Sequence, residues 1–218
     1  MNANTLKAIS KLQSHYTALM GAIDLLVNNG WRPGRATRHI LIKNGIIDVK
    51  YEKVSVAAAN VNAKMVKDVC EHWDHVRFNN HFFQITTNES VIREAYENVS
   101  SCASSDAHLM HFCYVVPDVG MFLCIVTNQL GDIVSRAWAR SKEDDVLFYS
   151  NYGYEHRMES ILLAIGAKFT RRWADDVEHS LRCEGLVIDP ATLKSSIVEY
   201  TPIIDGITME ALYEEQCM

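Results

Sequence analysis

Two groups of histidine and cysteine residues are the first parts of this 218-residue chain that could do chemistry, because imidazole and thiolate groups bind zinc. They are Cys70-x-His72-x-x-His75 and His108-x-x-His111-x-Cys113. On a helix, His72 and His75 would be one turn apart and share a face with Asp68. The sequence has neither a Cys-x-x-Cys pair nor a His-Glu-x-x-His motif. We therefore predict structural or surface histidines and no cofactor, with a zinc-stabilised binding module as an alternative.

A candidate thiol nucleophile lies in the polar segment Ser100–Asp106. Cys102 has Asp106 and His108 close to it in the sequence, and a Cys-His-Asp group can activate a thiolate. Serine and aspartate side chains in such a segment also cap turns and helices. We favour that structural role, and for the whole chain we favour binding over catalysis while leaving the question of enzymatic activity open.

An aromatic and polar segment, Phe148–Arg157, runs from the end of a predicted strand into the first turn of a predicted helix. Helix N-termini present free N–H groups and a partial positive charge, which favour anions. The predicted ligand or partner surface consists of Arg136, Tyr149, Tyr152, Tyr154, His156 and Arg157. The alternative is a packed corner rich in tyrosine.

A basic segment follows Trp31, and its charged residues are Arg32, Arg35, Arg38 and Lys43. We expect residues 31–39 to form a loop. Cations beside an aromatic ring could bind phosphate groups or an acidic partner, and the alternative is a loop that is simply solvated.

The elements that must position these residues are clearest in the second half of the chain. A continuous apolar run, an alternating segment and a third short apolar segment predict strands over 121–126, 133–140 and 146–149. The short turns between them favour an antiparallel meander. A helix follows, with apolar residues at helical spacing and Gly166 at its end. Residues 168–173 and 181–188 are predicted to add strands, and 208–216 a closing helix.

The first half is predicted to be mainly helical. Apolar spacing indicates helices over 5–28 and 56–77, and Asn88 is predicted to cap a helix that ends near Val99. Residues 81–86 resemble a short strand. Asn44-Gly45 between β-branched residues predicts a β-hairpin over 39–51. The expected fold is α+β, with an antiparallel meander sheet packed against helices.

We expect one α+β domain over residues 1–218, with a mainly helical part (1–100) and a sheet-containing part (101–218). Charge follows the same division. The first part carries 12 Lys+Arg and 9 Asp+Glu and the second carries 9 and 18, which sum to the 21 and 27 of the chain. The acidic second part is a poor surface for nucleic acid, because binding depends on neutralising phosphates.

Targeting signals are not visible in the sequence. The N-terminus has no basic segment followed by an apolar core, and no stretch approaches the length of apolar residues that spans a bilayer. The six cysteines are scattered, so we expect reduced thiols and a cytoplasmic location.

The strand, strand, strand, helix order of 121–166 resembles the central part of a GNAT-type acyltransferase. In that family the loop before the helix carries glycine and holds the pyrophosphate of acyl-CoA. The matching stretch here is Tyr154–Glu159, which has no glycine after Gly153. The resemblance implies a divergent transferase with its site near Tyr149–Arg157, and no catalytic residue is carried over.

The chain also resembles a loose group of uncharacterised tailed-phage proteins. The matching features are Ser101-Cys102, the apolar strand Met121–Val126, Gly131, Arg136-Ala137, Tyr149 and Tyr200–Asp205. Ala103 stands where that group usually has methionine. The resemblance implies a viral accessory protein of the host cytoplasm. We expect it to bind a host or viral macromolecule, with a protein favoured over nucleic acid as the partner.

Overall fold

The computed structural model describes residues 3–47, 56–78, 80–99, 120–153, 157–170, 186–189 and 194–197. The helices in these ranges are α1 (Ala3–Asn28), α2 (Pro33–Lys43), α3 (Val56–Arg77), α4 (Glu89–Asn98) and α5 (Arg157–Ala164). The strands are β1 (His81–Thr86), β2 (Met121–Asn128), β3 (Ile133–Lys142), β4 (Asp145–Gly153), β5 (Lys168–Phe169), β6 (Leu186–Asp189) and β7 (Lys194–Ile197). None of the helices in the described ranges has the length and apolar character needed to cross a membrane.

Strands β1 to β5 form one sheet in their chain order. Strands β1 to β4 are antiparallel to their neighbours, whereas β5 pairs in parallel with β4 after the chain has passed through α5. β1 comes from the first half of the chain and pairs along its whole length with β2. Strands β6 and β7 pair with each other in a second, two-stranded sheet. The α+β class and the antiparallel meander are therefore confirmed.

The two faces of the large sheet are covered by different helices, and β2 shows this most directly. Phe122, Cys124 and Val126 pack in a core cluster with residues of α1, α2, α3 and α5. Leu123 and Ile125 alternate with them and are buried on the opposite face. On that face α4 packs against β3. β2 is thus buried on both sides, as its continuous apolar sequence predicts.

Residues 39–43 form the second half of α2, so the predicted hairpin over 39–51 is wrong, and the predicted loop over 31–39 is helical from Pro33 onward. Proline suits the first turn of a helix, because the N–H that it lacks has no partner there. The apolar residues of this segment are buried at helical spacing: Ala36, Ile40 and Leu41, with Thr37 beside them.

The backbone conformation of Gly45 explains why the predicted hairpin is wrong. It adopts a φ of 71°, a left-handed conformation that glycine takes without strain. The N–H of Gly45 bonds the carbonyl of Ile42, and the N–H of Ile46 bonds that of Leu41, which is the Schellman arrangement at a helix end. An Asn-Gly pair therefore suits a helix end as well as a hairpin turn.

The other predicted elements within the described residues occur with small shifts in their ends. Asn88 accepts a hydrogen bond from the N–H of Ser90 and caps α4 as predicted. Within the segments predicted as strands over 168–173 and 181–188, the described residues include β5 (Lys168–Phe169) and the start of β6 (Leu186–Asp189). The predicted closing helix over 208–216 lies outside the described residues.

Candidate functional site

One face of α2 presents four basic residues to solvent, and we call it the basic face of α2. Its members are Arg32, Arg35, Arg38 and Lys43, all of which are exposed. The sequence from Leu25 to Ile47 contains no aspartate or glutamate. In the described part of the chain, none of the four pairs with a carboxylate. The segment predicted as a basic loop is therefore a basic helix face.

The opposite side of α2 is fixed against α1 and α3. The thiol of Cys70 donates a hydrogen bond to the hydroxyl of Thr37 at 3.2 Å. A Cβ on Gly34 would lie 3.9 Å from the sulfur of Cys70, so α2 approaches α3 closely at that point. These contacts hold the helix, and with it the spacing of the four cations.

Trp31 orders the start of the basic face. The guanidinium of Arg35 lies 4.6 Å from the centre of the Trp31 ring, within the range of a cation–π contact. The ring of His39, one turn further along α2, lies 5.2 Å from the same indole. The indole ring of Trp31 therefore contacts one cation and one imidazole of the exposed surface.

A second candidate site lies where α1, α3, β1 and α5 meet, and we call it the histidine cluster. Its members are Tyr16, Glu71, His72, His75, His81 and Arg157. His72 is its buried centre, with 1 % of its surface exposed. Burial, reinforced by the positive charges of His81, Arg157 and His75, lowers the pKa of His72 to about 3. His72 is therefore neutral at physiological pH.

Tyr16 links the cluster to the sheet. Its hydroxyl lies 3.0 Å from Nε2 of His72, and its ring lies 4.9 Å from that of Phe83 in β1. Burial raises the pKa of Tyr16 to about 12, so the phenol is un-ionised. The Nδ1 atom of His72 is buried and has no hydrogen-bond partner among the described residues.

Arg157, at the start of α5, contacts the helix that carries His72 and His75. Its guanidinium lies 3.4 Å from Glu71, which also lies 3.7 Å from Lys67. The rings of His75 and His81 are 4.5 Å apart. A hydrogen bond of 2.9 Å from Ser160 to Asp68 holds α5 against α3 beside them.

β4 is irregular where it approaches α5. Ala137 of β3 pairs with Asn151, but Ala139 pairs with Phe148, so two steps along β3 correspond to three along β4. The extra residue makes a β-bulge opposite Trp138, a feature that is frequent next to active sites. Gly153 follows with a φ of 122°, and a Cβ there would lie 2.2 Å from the carbonyl oxygen of Val134. Only glycine fits this approach.

Arg136, a member of the predicted ligand surface, is buried beneath α4 with 1 % of its surface exposed. Its guanidinium lies 3.6 Å from the centre of the Tyr96 ring and donates to the carbonyl of Val99 at 3.4 Å. Tyr152 is its register partner in β4. Arg136 therefore ties α4 to the sheet.

Several predicted site residues lie outside the described part of the chain: Cys102, Asp106, His108, His111, Cys113, Tyr154 and His156. For Tyr149 and Tyr152 the backbone in β4 is described. Across the described ranges, no three His, Cys, Asp or Glu residues are arranged to hold a metal ion. His72 and His75 belong to the histidine cluster instead.

Three members of the histidine cluster are absent from the sequence prediction: Tyr16, Glu71 and His81. Glu71 lies four residues before His75 in α3, so helical spacing could have placed it beside that histidine. Tyr16 and His81 come from α1 and β1, and no local pattern links either residue to α3. Their meeting depends on helix packing.

Comparison with known proteins finds no relative. No protein-family model matches the sequence, no curated protein matches it, and no solved structure matches the fold.

Proposed function

We propose that this chain is a phage-type accessory protein of the host cytoplasm that binds an acidic segment of another protein through the basic face of α2. One observation carries the proposal. Four cations share an exposed helix surface, and no carboxylate of the described residues neutralises them. Charge complementarity of this kind steers partners together and fixes their orientation.

A protein partner suits the basic face better than nucleic acid does. α2 has 11 residues and is therefore about 16 Å long, and it offers few cations compared with the roughly 6–10 phosphate contacts of a strong DNA-binding protein. The chain as a whole has a net charge of −6. A short acidic peptide can cover α2 alone, whereas a long polyanion would be repelled by the remaining surface.

The basic face is also ordered before any partner arrives. The buried side of α2 fixes the helix, and the contact of Arg35 with Trp31 restricts one of the longest side chains. Binding then loses less conformational entropy than it would with a flexible loop.

The test is fluorescence anisotropy with a labelled peptide rich in Asp and Glu, compared with a labelled oligonucleotide of similar length. We expect the peptide to bind more tightly at about 50 mM salt than at about 200 mM, because surface charge is screened. The double variant R32E/R38E is expected to bind about tenfold more weakly. Arg32 is the N-cap of α2, where a negative charge is tolerated.

The matched control is K64E/K142E, which makes the same change in net charge at two exposed lysines outside α2. It should bind the peptide as the wild type does. Equal losses in both variants, or no peptide binding at low salt, would overturn the proposal. Preferential binding of the oligonucleotide would assign the basic face to nucleic acid instead.

A second candidate function is a transferase of GNAT-like architecture. The observation that favours it is the passage from β4 through α5 to the parallel strand β5, with the β-bulge and Gly153 just before α5. An interrupted strand next to a helix N-terminus is suited to a phosphate-bearing ligand.

Thermal denaturation with acetyl-CoA tests this second candidate. A ligand at a hundredfold excess over its dissociation constant stabilises the folded state by about 2.7 kcal/mol, so the melting temperature should rise with concentration. Coenzyme A without the acetyl group is the control for the acyl contact. An unchanged melting temperature at millimolar acetyl-CoA removes the candidate.

A further inference from the structure

The middle of the basic face of α2 carries an imidazole as well as cations. His39 lies one helical turn after Arg35 and one turn before Lys43, so it stands in the row that these exposed cations form. His39 is itself exposed. Because an imidazole has a ring N–H in either of its protonation states, the row offers a hydrogen-bond donor at each of its three positions.

Trp31 holds Arg35 and His39 beside one another. The guanidinium of Arg35 lies 4.6 Å from the centre of the indole, and the ring of His39 lies 5.2 Å from it. Trp31 is partly buried and packs against the hydrophobic core, so the indole is a fixed support. The two donor groups therefore keep their places on the surface before a ligand arrives.

Neither donor group has an anionic partner within the described part of the chain. The side chains of Arg35 and His39 form no ion pair with a described carboxylate. No aspartate or glutamate occurs in the sequence from Leu25 to Ile47. An anion on a partner therefore meets no competing carboxylate from the described residues at this position.

A phosphate group fits this pair of side chains better than a carboxylate does. A guanidinium binds two oxygens side by side, which engages both oxygens of a carboxylate. A phosphate on a serine or threonine has a third oxygen for the imidazole N–H, and it carries a charge of about −1.5 to −2 at pH 7. Residues one helical turn apart have Cβ atoms about 5–6 Å from each other, so a single phosphate can contact both side chains.

We infer that Arg35 and His39, supported by Trp31, bind a phosphate group on the acidic partner, which is therefore a segment that contains phosphoserine or phosphothreonine. The remaining cations of the basic face take the carboxylates on either side of that phosphate. This inference rests on the proposed function, because it specifies the partner of the same surface.

The test is fluorescence anisotropy with two labelled peptides of equal net charge. One carries a phosphoserine among aspartate and glutamate residues, and the other has two aspartates in place of the phosphoserine and a neutral neighbour. We expect the phosphopeptide to bind the wild type about tenfold more tightly. Arg35→Lys keeps the charge but removes the paired N–H groups, and His39→Ala removes the imidazole. Each variant should lose most of the preference for phosphate and still bind the aspartate peptide.

Arg32→Lys is the matched control, because it makes the same exchange on the same face but outside the contact of Arg35 with Trp31. It should keep the preference, and an equal loss there would overturn the assignment to Arg35 and His39. All three substituted residues are exposed, so the melting temperatures should match that of the wild type.

Two further outcomes separate this inference from the proposed function. Equal affinities of the two peptides for the wild type, or a preference that survives in both Arg35→Lys and His39→Ala, would overturn the inference and leave the proposed function in place. Failure of both peptides to bind the wild type would overturn the proposed function, and the inference with it.

Discussion

The hydroxyl of Tyr16 lies 3.0 Å from Nε2 of His72, although the two residues are 56 positions apart and belong to different helices. The ring of Tyr16 also packs 4.9 Å from that of Phe83 in β1. One side chain of α1 therefore contacts both α3 and β1.

Tyr16→Phe tests that contact. The substitution keeps the ring that packs 4.9 Å from Phe83 but removes the oxygen. The buried Nε2 of His72 would lose its partner, and we expect the free energy of unfolding to fall by about 1–3 kcal/mol. Urea denaturation measures it. A change smaller than about 0.5 kcal/mol, typical of surface substitutions, would show that the hydroxyl is not needed.

His72 should make the protein less stable in acid. Its pKa is about 3 in the folded state and 6.5 when exposed, so between these values the unfolded chain binds more protons. Its stabilising effect is fully present above pH 6.5 and is lost progressively as the pH falls toward 3, by up to about 1.4 kcal/mol per pH unit. Urea midpoints measured across this range should show the slope.

His72→Gln should remove that part of the pH dependence. His39→Gln, at an exposed position on α2, should retain it. If His72→Gln keeps the wild-type slope, another group is responsible for the acid sensitivity.

The described thiols should react at different rates. Cys124 is fully buried in β2, and burial raises its pKa. Cys70 is partly exposed, and its pKa is raised mainly by burial. We expect iodoacetamide to modify Cys70 slowly and Cys124 only after unfolding. Peptide mapping by mass spectrometry distinguishes them, and rapid labelling of Cys124 in the native protein would contradict its placement.

Gly153→Ala and Gly34→Ala should change stability in opposite directions. At Gly153 a Cβ would strike the backbone of β3 in a left-handed conformation, so a loss of at least about 1–3 kcal/mol is expected. At Gly34, in α2, there is space, and alanine should gain about 0.5–1 kcal/mol. Melting temperatures of the two variants provide the comparison, and a neutral Gly153→Ala would contradict the close approach of β4 to β3.

The sequence predicts those parts of the fold in which local pattern and packing agree. The alternating pattern of residues in β3 and the helix cap at Asn88 can be recognised in the sequence. Both occur where they are expected. The Asn44-Gly45 pair fails as a predictor because a helix end and a hairpin turn both place a glycine in the left-handed conformation. The basic residues after Trp31 are evident from the sequence, but their common helical face is not.

The histidine cluster is less predictable for a different reason. His72 is recognisable as a residue with possible chemistry, yet its neutrality depends on burial by α1 and β1. The partner of Arg157 depends on the packing of α5 against α3, and nothing in the sequence near Arg157 indicates Glu71.

The pairing of β1 with β2 also bears on synthesis of the chain. Thirty-four residues separate Thr86 from Met121, yet the edge of the sheet is complete only when both strands are present. During translation, α1 to α3 and β1 leave the ribosome while one hydrogen-bonding edge of β1 still lacks its partner strand, and non-local pairings of this kind slow folding. A polypeptide interrupted between these two strands would have to rebuild its sheet from two fragments, so an intact connection keeps the assembly a unimolecular process.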